Sequence, residues 1–289
     1  MNISVQSPAK INLHLSVFEK QPDGYHRVET TMLKVGLFDS IHIKILDGEG
    51  IEVTVDEPFV FLSGEKNLAY KAVNLFLQAT GLKKKIQIHI QKNIPLGAGL
   101  GGGSGNAGVV LNHLNECLGR PLIENQLMEL GRKLGADVPF FVQPLDFAFL
   151  VGRGDAVLES SQFPSLSLLI VYPNLQVSTP DVYHRLGRSL TWEGSGGISG
   201  ACDRKITAWK DVDFLLKKGN DLQPVTEAMH PQIGNVRGML QEHGAYFSQM
   251  SGSGACIFGL FEDEERAKEA ESSLKKAGQC FLVRSGTSF

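Results

Sequence analysis

Apolar and polar residues alternate with a period of two at four places in the first third of the chain. Ile11, Leu13, Leu15 and Val17 interleave with Lys10, Asn12, His14 and Ser16, and the same rhythm returns in residues 41–45, 51–55 and 86–90. Successive side chains of a strand point to opposite faces, so each stretch predicts a strand, and Lys10, Asn12 and His14 share the polar face of the first. Leu68, Ala72, Leu75, Phe76 and Ala79 fall at helical spacing, with Gly81 placed to end the helix. Val110, Leu111, Leu114 and Leu118 mark a second helix, and Leu127, Leu130 and Leu134 a third that follows Pro121 and closes at Gly135. Residues 147–151 add a strand, giving an α+β first domain over 1–160.

The second domain is expected over 161–289. It opens on a buried strand at 166–172, followed by a short helix from Thr179 and Pro180 and a flexible glycine-rich surface insertion at 194–201. Helices at 206–218 and 231–243, strands near 245–249 and 255–261, a charged helix at 262–277 and a last strand at 280–284 complete it. That order resembles a split ferredoxin-like sandwich.

Between the strand at 86–90 and the second helix lies "IPLGAGLGGGSGNAG", with six glycines between Gly97 and Gly105. Glycine loses more conformational freedom on folding than any other residue, so the cluster needs a function to offset it. A glycine-rich loop running into a helix N-terminus, expected from about Ser104, is an anion site: free N–H groups and the positive end of the helix dipole face a phosphate. The absence of a GK[ST] ending excludes a Walker A loop. Gly97, Gly99 and Gly102 match the GxGxxG dinucleotide pattern, but Glu116, at the distance where that motif places an acid at a strand end, lies in the helix.

Composition narrows the partners. Of 289 residues 42% are hydrophobic and 20% charged, which is globular, and a net charge of −3 gives no bulk attraction to nucleic acid or anionic membrane. No apolar run is long enough to span a bilayer, and the first residues lack a signal-peptide core. A cytoplasmic protein is expected, a monomer or weak homodimer. Cys117, Cys202, Cys256 and Cys280 match no zinc spacing and are read as free, mostly buried thiols.

The glycine loop, together with "SPAKINLHL" at 7–15 and "MSGSGACIF" at 250–258, resembles the three motifs of the GHMP kinases in their order. The resemblance covers nearly the whole chain. It implies an S5-like first domain, a ferredoxin-like second, and phosphoryl transfer from ATP with Mg²⁺. "PDGYH" at 22–26, "LGADVPFF" at 134–141 and "GRGD" at 152–155 are closest to the branch that phosphorylates the 2-hydroxyl of a methylerythritol carrying a cytidine diphosphate, in non-mevalonate isoprenoid synthesis. A mevalonate or homoserine kinase type is the alternative. In that branch the loop more often reads GGGSS followed by Asp or Asn and two alanines; here Gly105 and Gly108 replace the second Ser and second Ala. An S5-like fold also occurs in RNA-binding proteins, a reading the acidic balance opposes.

The resemblance assigns the phosphates to Pro95, Leu96, Gly97, Ala98, Gly99, Leu100, Gly101, Gly102, Gly103, Ser104 and Gly105. It makes Asp137 the general base and Lys10 its cationic partner. Ser104 is read either as the helix N-cap or as a ligand of Mg²⁺ or phosphate. Tyr25 is expected to stack on the cytosine, His26 to hydrogen bond it, and Tyr183 to supply a second aromatic. Asn12, Thr179, Gly252, Ser253 and Gly254 complete the expected substrate contacts. By their residues alone, Asp137 also fits a turn aspartate, and "PDGYH" an ordinary exposed turn.

Overall fold

The computed structural model describes residues 1–160, 165–186 and 209–285; the expected insertion at 194–201, Cys202 and the start of the helix at 206–218 lie outside them. Strands β1 (Asn2–Lys20) and β2 (His26–Asp47) form one long antiparallel hairpin. They are followed by β3 (Gly50–Val55), α1 (Leu68–Thr80), β4 (Lys84–Gln91), α2 (Gly102–Cys117), α3 (Glu124–Leu134), α4 (Val138–Val142), β5 (Phe147–Val151) and β6 (Ala156–Ser160). The first sheet runs β3-β4-β2-β5-β6, with β1 also on β2. The expected strands and helices are present, with additions. β2 begins fifteen residues before the alternation at 41–45, because Thr30–Val35 are buried on both faces and show no period of two. β3 and β4 pair in parallel across α1 rather than as a hairpin.

Local chemistry explains the ends of α1. Asn67 caps it by accepting from the Ala69 N–H at 2.8 Å, and Gly81 closes it in the left-handed region at φ +67°. The Gln126 side chain accepts from the Ile123 N–H at 3.0 Å, fixing the start of α3.

The second unit contains β7 (Ser167–Tyr172), α5 (Thr179–Leu186), α6 (Trp209–Lys218), α7 (Gln223–Met229), α8 (Pro231–Glu242), β8 (Phe247–Met250), β9 (Ile257–Phe261), α9 (Glu264–Leu274) and β10 (Gln279–Arg284). Its antiparallel sheet runs β10-β7-β9-β8, so the last strand flanks the first and the third separates the first from the second. That is the ferredoxin-like order the chain pattern suggested.

The two sheets share a core. Ile11, Leu13, Leu33 and Leu100 pack in one cluster with Leu168, Ile170, Cys256 and Phe258. Burying these side chains contributes roughly 1.5–3 kcal/mol each, so the units are held together by apolar contact as well as by the chain. Of the described cysteines, all free, Cys256 alone is buried; Cys117 and Cys280 are half-buried, which corrects the expectation of mostly buried thiols.

Candidate active site

A cleft of about 1100 Å³ opens between the two units. Its floor is β1. Lys10 and Asn12 are two residues apart on one face, and the register slip between Asn12 and His14 ends that alternation just beyond them. Both are almost wholly buried, so the polar face is the wall of a site and not a solvated surface. Lys10 Nζ donates to Asn12 Oδ1 at 2.7 Å, Asn12 Nδ2 to Thr30 Oγ1 at 2.8 Å, and Thr30 Oγ1 to the His14 carbonyl at 2.7 Å. An ammonium can only donate, so this chain fixes which way the Asn12 amide faces.

Asp137 immediately precedes α4, the short helix that "VPFF" forms with Pro139 in its first turn. Its Oδ2 lies 3.4 Å from Lys10 Nζ, and its side chain keeps 29% of its surface open to the cleft. Lys34, opposite Lys10 in the hairpin, has different surroundings. Its ammonium donates to the Gln143 carbonyl at 3.0 Å and lies 5.2 Å from the centre of the Phe140 ring. Burial pushes its pKa down to about 8, against the opposing pull of Asp146.

The glycine loop descends into this floor. The Lys10 N–H donates to the Leu100 carbonyl at 2.9 Å. Gly99 and Gly101 have φ of +76° and +69°, a region that costs other residues strain. A methyl group on Gly99 would lie 2.0 Å from the Ser251 carbonyl oxygen. The late glycine motif is therefore a brace. Ser251 Oγ donates to the Gly99 carbonyl at 2.9 Å, and the Cys256 N–H donates to that of Ala98 at 3.0 Å. Asn220 Nδ2 donates to the carbonyls of Met250 and Gly252, anchoring the motif from behind.

Helix α2 starts at Gly102, with Gly101 as its N-cap. Ser104 is thus the third helical residue and not the cap, so its hydroxyl is not engaged at the helix start. Gly105 and Gly108 face inward: a methyl group would lie 2.9 Å from the Pro8 carbonyl oxygen at Gly105 and 2.6 Å from Phe141 Cβ at Gly108. Both departures from the usual loop lie on the packed face of α2, where a side chain points away from the cleft.

At the other end of the cleft the walls are aromatic and basic. Residues 21–25 close the β1–β2 hairpin, with the Tyr25 N–H donating to Asp23 Oδ1 at 3.0 Å. His26 Nδ1 donates to the Phe18 carbonyl at 2.8 Å, which leaves Nε2 as an acceptor in the neutral ring. The His26 and Tyr183 rings are 5.6 Å apart between centres. Burial, and after it the charge of Asp137, push the Tyr183 phenol up to about 12. Tyr25 is 58% exposed, and the Arg153 guanidinium lies 4.9 Å from its ring centre. The neighbour of Tyr183 is therefore His26, and Tyr25 stands apart with Arg153.

Lys10, Lys20, Arg132, Lys133 and Arg153 line the cleft against Glu129 and Asp137, an excess of cations in an acidic chain. Of the expected residues, Lys10, Asn12, Tyr25, His26, Gly99, Gly101, Asp137, Thr179, Tyr183, Gly252 and Ser253 line it as well. Thr179 Oγ1 and Ser253 Oγ lie 2.6 Å apart. Gly254 does not line it and packs against Met250 and Thr226; the remaining loop residues lie outside its lining. Sequence reasoning missed Lys20, Thr30, Arg132 and Lys133, because nothing local separates them from ordinary surface or strand residues.

Residues 67–144 match the GHMP kinases N terminal domain and residues 206–280 the GHMP kinases C terminal domain. A 4-diphosphocytidyl-2-C-methyl-D-erythritol kinase of Geobacter metallireducens is 40% identical over 98% of this chain and 97% of its own. The enzyme of that name from Syntrophus aciditrophicus is 38% identical over 98% and 99%. A crystal structure of 4-(cytidine 5'-diphospho)-2C-methyl-D-erythritol kinase superposes with a TM-score of 0.80 at 31% identity, covering 99% of this chain and all of that one. Homoserine kinase from Cytophaga hutchinsonii shares the fold at 20% identity and a TM-score of 0.75, covering 98% of this chain and 94% of that one. With both GHMP domains present and full-length relatives this similar, the chain belongs to the 4-diphosphocytidyl-2-C-methyl-D-erythritol kinase family of the GHMP kinases.

Proposed function

We propose that this chain transfers the γ-phosphoryl group of ATP to the 2-hydroxyl of 4-diphosphocytidyl-2-C-methyl-D-erythritol, with Asp137 as general base and Lys10 as its partner. The observation that carries the reading is the Lys10–Asp137 pair, 3.4 Å apart on the floor of a cleft with a glycine loop at one end and an aromatic, basic wall at the other. Asp137 accepts the hydroxyl proton as the acceptor oxygen bonds to phosphorus and the bond to ADP breaks. Lys10 keeps the carboxylate ionised and offsets the charge growing on the attacking oxygen. Such transfers rest on positioning and electrostatics rather than covalent chemistry by the protein.

The free N–H groups at the start of α2 bind the triphosphate. Among the described residues no cluster of three His, Cys, Asp or Glu is built to hold a metal. That suits Mg²⁺, which takes one or two protein ligands and the rest from phosphate and water; the Ser104 hydroxyl, in the first turn of α2, fits that role. When bound, the ion neutralises charge on the β- and γ-phosphates. The cationic wall suits the acceptor's diphosphate. His26 Nε2, left as an acceptor, complements the exocyclic amine of cytosine, and Tyr25 and Tyr183 flank the base. On this reading residues 1–160 supply the loop, the base and the hairpin, and 161–289 supply Tyr183, Thr179 and the brace.

The test is a coupled ADP-release assay with Mg·ATP and separate acceptors. Turnover with the cytidylated methylerythritol, and far less with methylerythritol, mevalonate or homoserine, is expected. Equal turnover of methylerythritol without its cytidine would contradict the assignment.

A further inference from the structure

Asp39 lies on β2, 53 residues from Lys92 in the chain, and none of the chemistry above uses it. It is fully buried. The last β2–β4 pair is Ser40 with Gln91, so Asp39 stands where the chain leaves the sheet and starts toward the glycine loop. There its carboxylate collects three donors. Oδ1 accepts from the Asn93 N–H at 2.8 Å and the Ile94 N–H at 2.9 Å, and Oδ2 from the Lys92 ammonium. The Asn93 side chain adds a bond to the neighbouring Phe38 carbonyl at 2.9 Å.

These residues lie directly beneath the start of α2. A methyl group on Gly102 would lie 3.0 Å from Ile94 Cγ2 and 3.0 Å from Lys92 Nζ. The first helical residue therefore rests on the two side chains whose backbone and ammonium Asp39 holds. Lys92 Nζ is a cation, nearly excluded from water, beside the positive end of a helix dipole. Alone it would be repelled there, and Asp39 supplies the charge that keeps it in place.

We propose that Asp39 is a positioning residue for the phosphate loop: its carboxylate fixes residues 92–94 so that the free amides of Gly102, Gly103 and Ser104 converge on the nucleotide. This rests on the reading of that loop as the ATP site. It extends to Gly102 itself. A side chain there would displace Ile94 and Lys92 from below rather than crowd the phosphate from above.

Two charge-balanced double variants separate positioning from mere stability. Asp39→Ala with Lys92→Met removes the ion pair and both backbone acceptors. Asp39→Asn with Lys92→Met removes the same charges but keeps an amide oxygen for the Asn93 and Ile94 N–H groups. The expected result is a KM for ATP raised about tenfold or more in the alanine pair, restored to within a few-fold of wild type in the asparagine pair. KM for the acceptor should stay within about twofold in both. Melting temperatures without ligand report folding separately, and both steady-state constants refer to the folded fraction. An alanine pair with wild-type KM for ATP, or one whose two KM values rise together, overturns the proposal. So does an alanine pair that does not fold while the asparagine pair folds with a tenfold-raised KM for ATP. Failure of wild-type protein to bind Mg·ATP in direct titration would instead remove the reading of the loop on which the proposal stands.

Discussion

The two ends of the cleft are built from different materials. The glycine-loop end, where the proposed function puts the phosphates, is backbone: glycines in conformations other residues avoid, amides at a helix start, and a second glycine turn locked against the first through Ser251 and Gly99. It is tied to both sheets, and Leu100 beside it is 1% exposed. The other end, proposed for the nucleobase, is side chains carried on a hairpin turn and on α5, and Tyr25 there stands 58% exposed. A phosphate needs amides in fixed directions, which only a braced loop provides. A flat base needs faces and one hydrogen bond, which side chains on separate elements can supply.

The two ends should therefore break differently. The largest effect belongs between them: Asp137→Asn should lower kcat by at least ~10²-fold while KM for ATP and melting temperature stay near wild type. Near-normal turnover by folded protein would remove Asp137 as the base. Next, Gly99→Ala forces a methyl group against the Ser251 carbonyl at a positive φ. The loop or its brace must move, so KM for ATP should rise about tenfold or more and the melting temperature fall, with the acceptor KM least affected. At the other end, Tyr25→Ala should raise acceptor KM roughly five- to 150-fold, the range for one lost base–aromatic stack, with kcat less changed and Tyr25→Phe mild. A rise in ATP KM alone would mean that the ends have been assigned the wrong way round.

A last effect, on stability and not on turnover, concerns the strut joining the ends. His14 is fully buried on β1, and its carbonyl receives the Thr30 hydroxyl that orients Asn12. Burial, aided by Lys218, pushes its pKa from 6.5 down to about 4. The unfolded chain then binds the extra proton between those values. Stability is full above pH 6.5 and is lost as pH falls toward 4, by up to roughly 3 kcal/mol for a shift of this size. Thermal melts of wild type should decline over that window, and those of a folded His14→Gln variant should decline less. Parallel curves would assign the loss to other groups.

The same contrast governs what could be read from the sequence. The phosphate end was legible because glycines placed for backbone geometry leave a mark in the sequence, as does the alternation of β1. The strand order of the second sheet followed from pattern and resemblance together, whereas the parallel pairing of β3 with β4 in the first did not. The first half of β2 was hidden, since residues buried on both faces have no polar phase to alternate with. Asp39 and Lys92 carry no local signal, and their pairing exists only once β2 and β4 lie side by side. At the base end Tyr25, His26 and Tyr183 were nameable through resemblance, but not their arrangement. The ring against Tyr183 is that of His26, and Tyr25 is met by Arg153 from the "RGD" turn, whose Asp155 carboxylate accepts from the Arg153 N–H at 3.1 Å.

The proposed function needs one cleft with two separate subsites, phosphate at the glycine loop and cytidine at the hairpin, with Lys10 and Asp137 between them. Inhibition by free CMP, measured against each substrate in turn, tests it most directly. Inhibition should be competitive with the acceptor, not competitive with ATP, and much weaker in Tyr25→Ala. Inhibition competitive with ATP, or no inhibition at concentrations well above the acceptor KM, would contradict it.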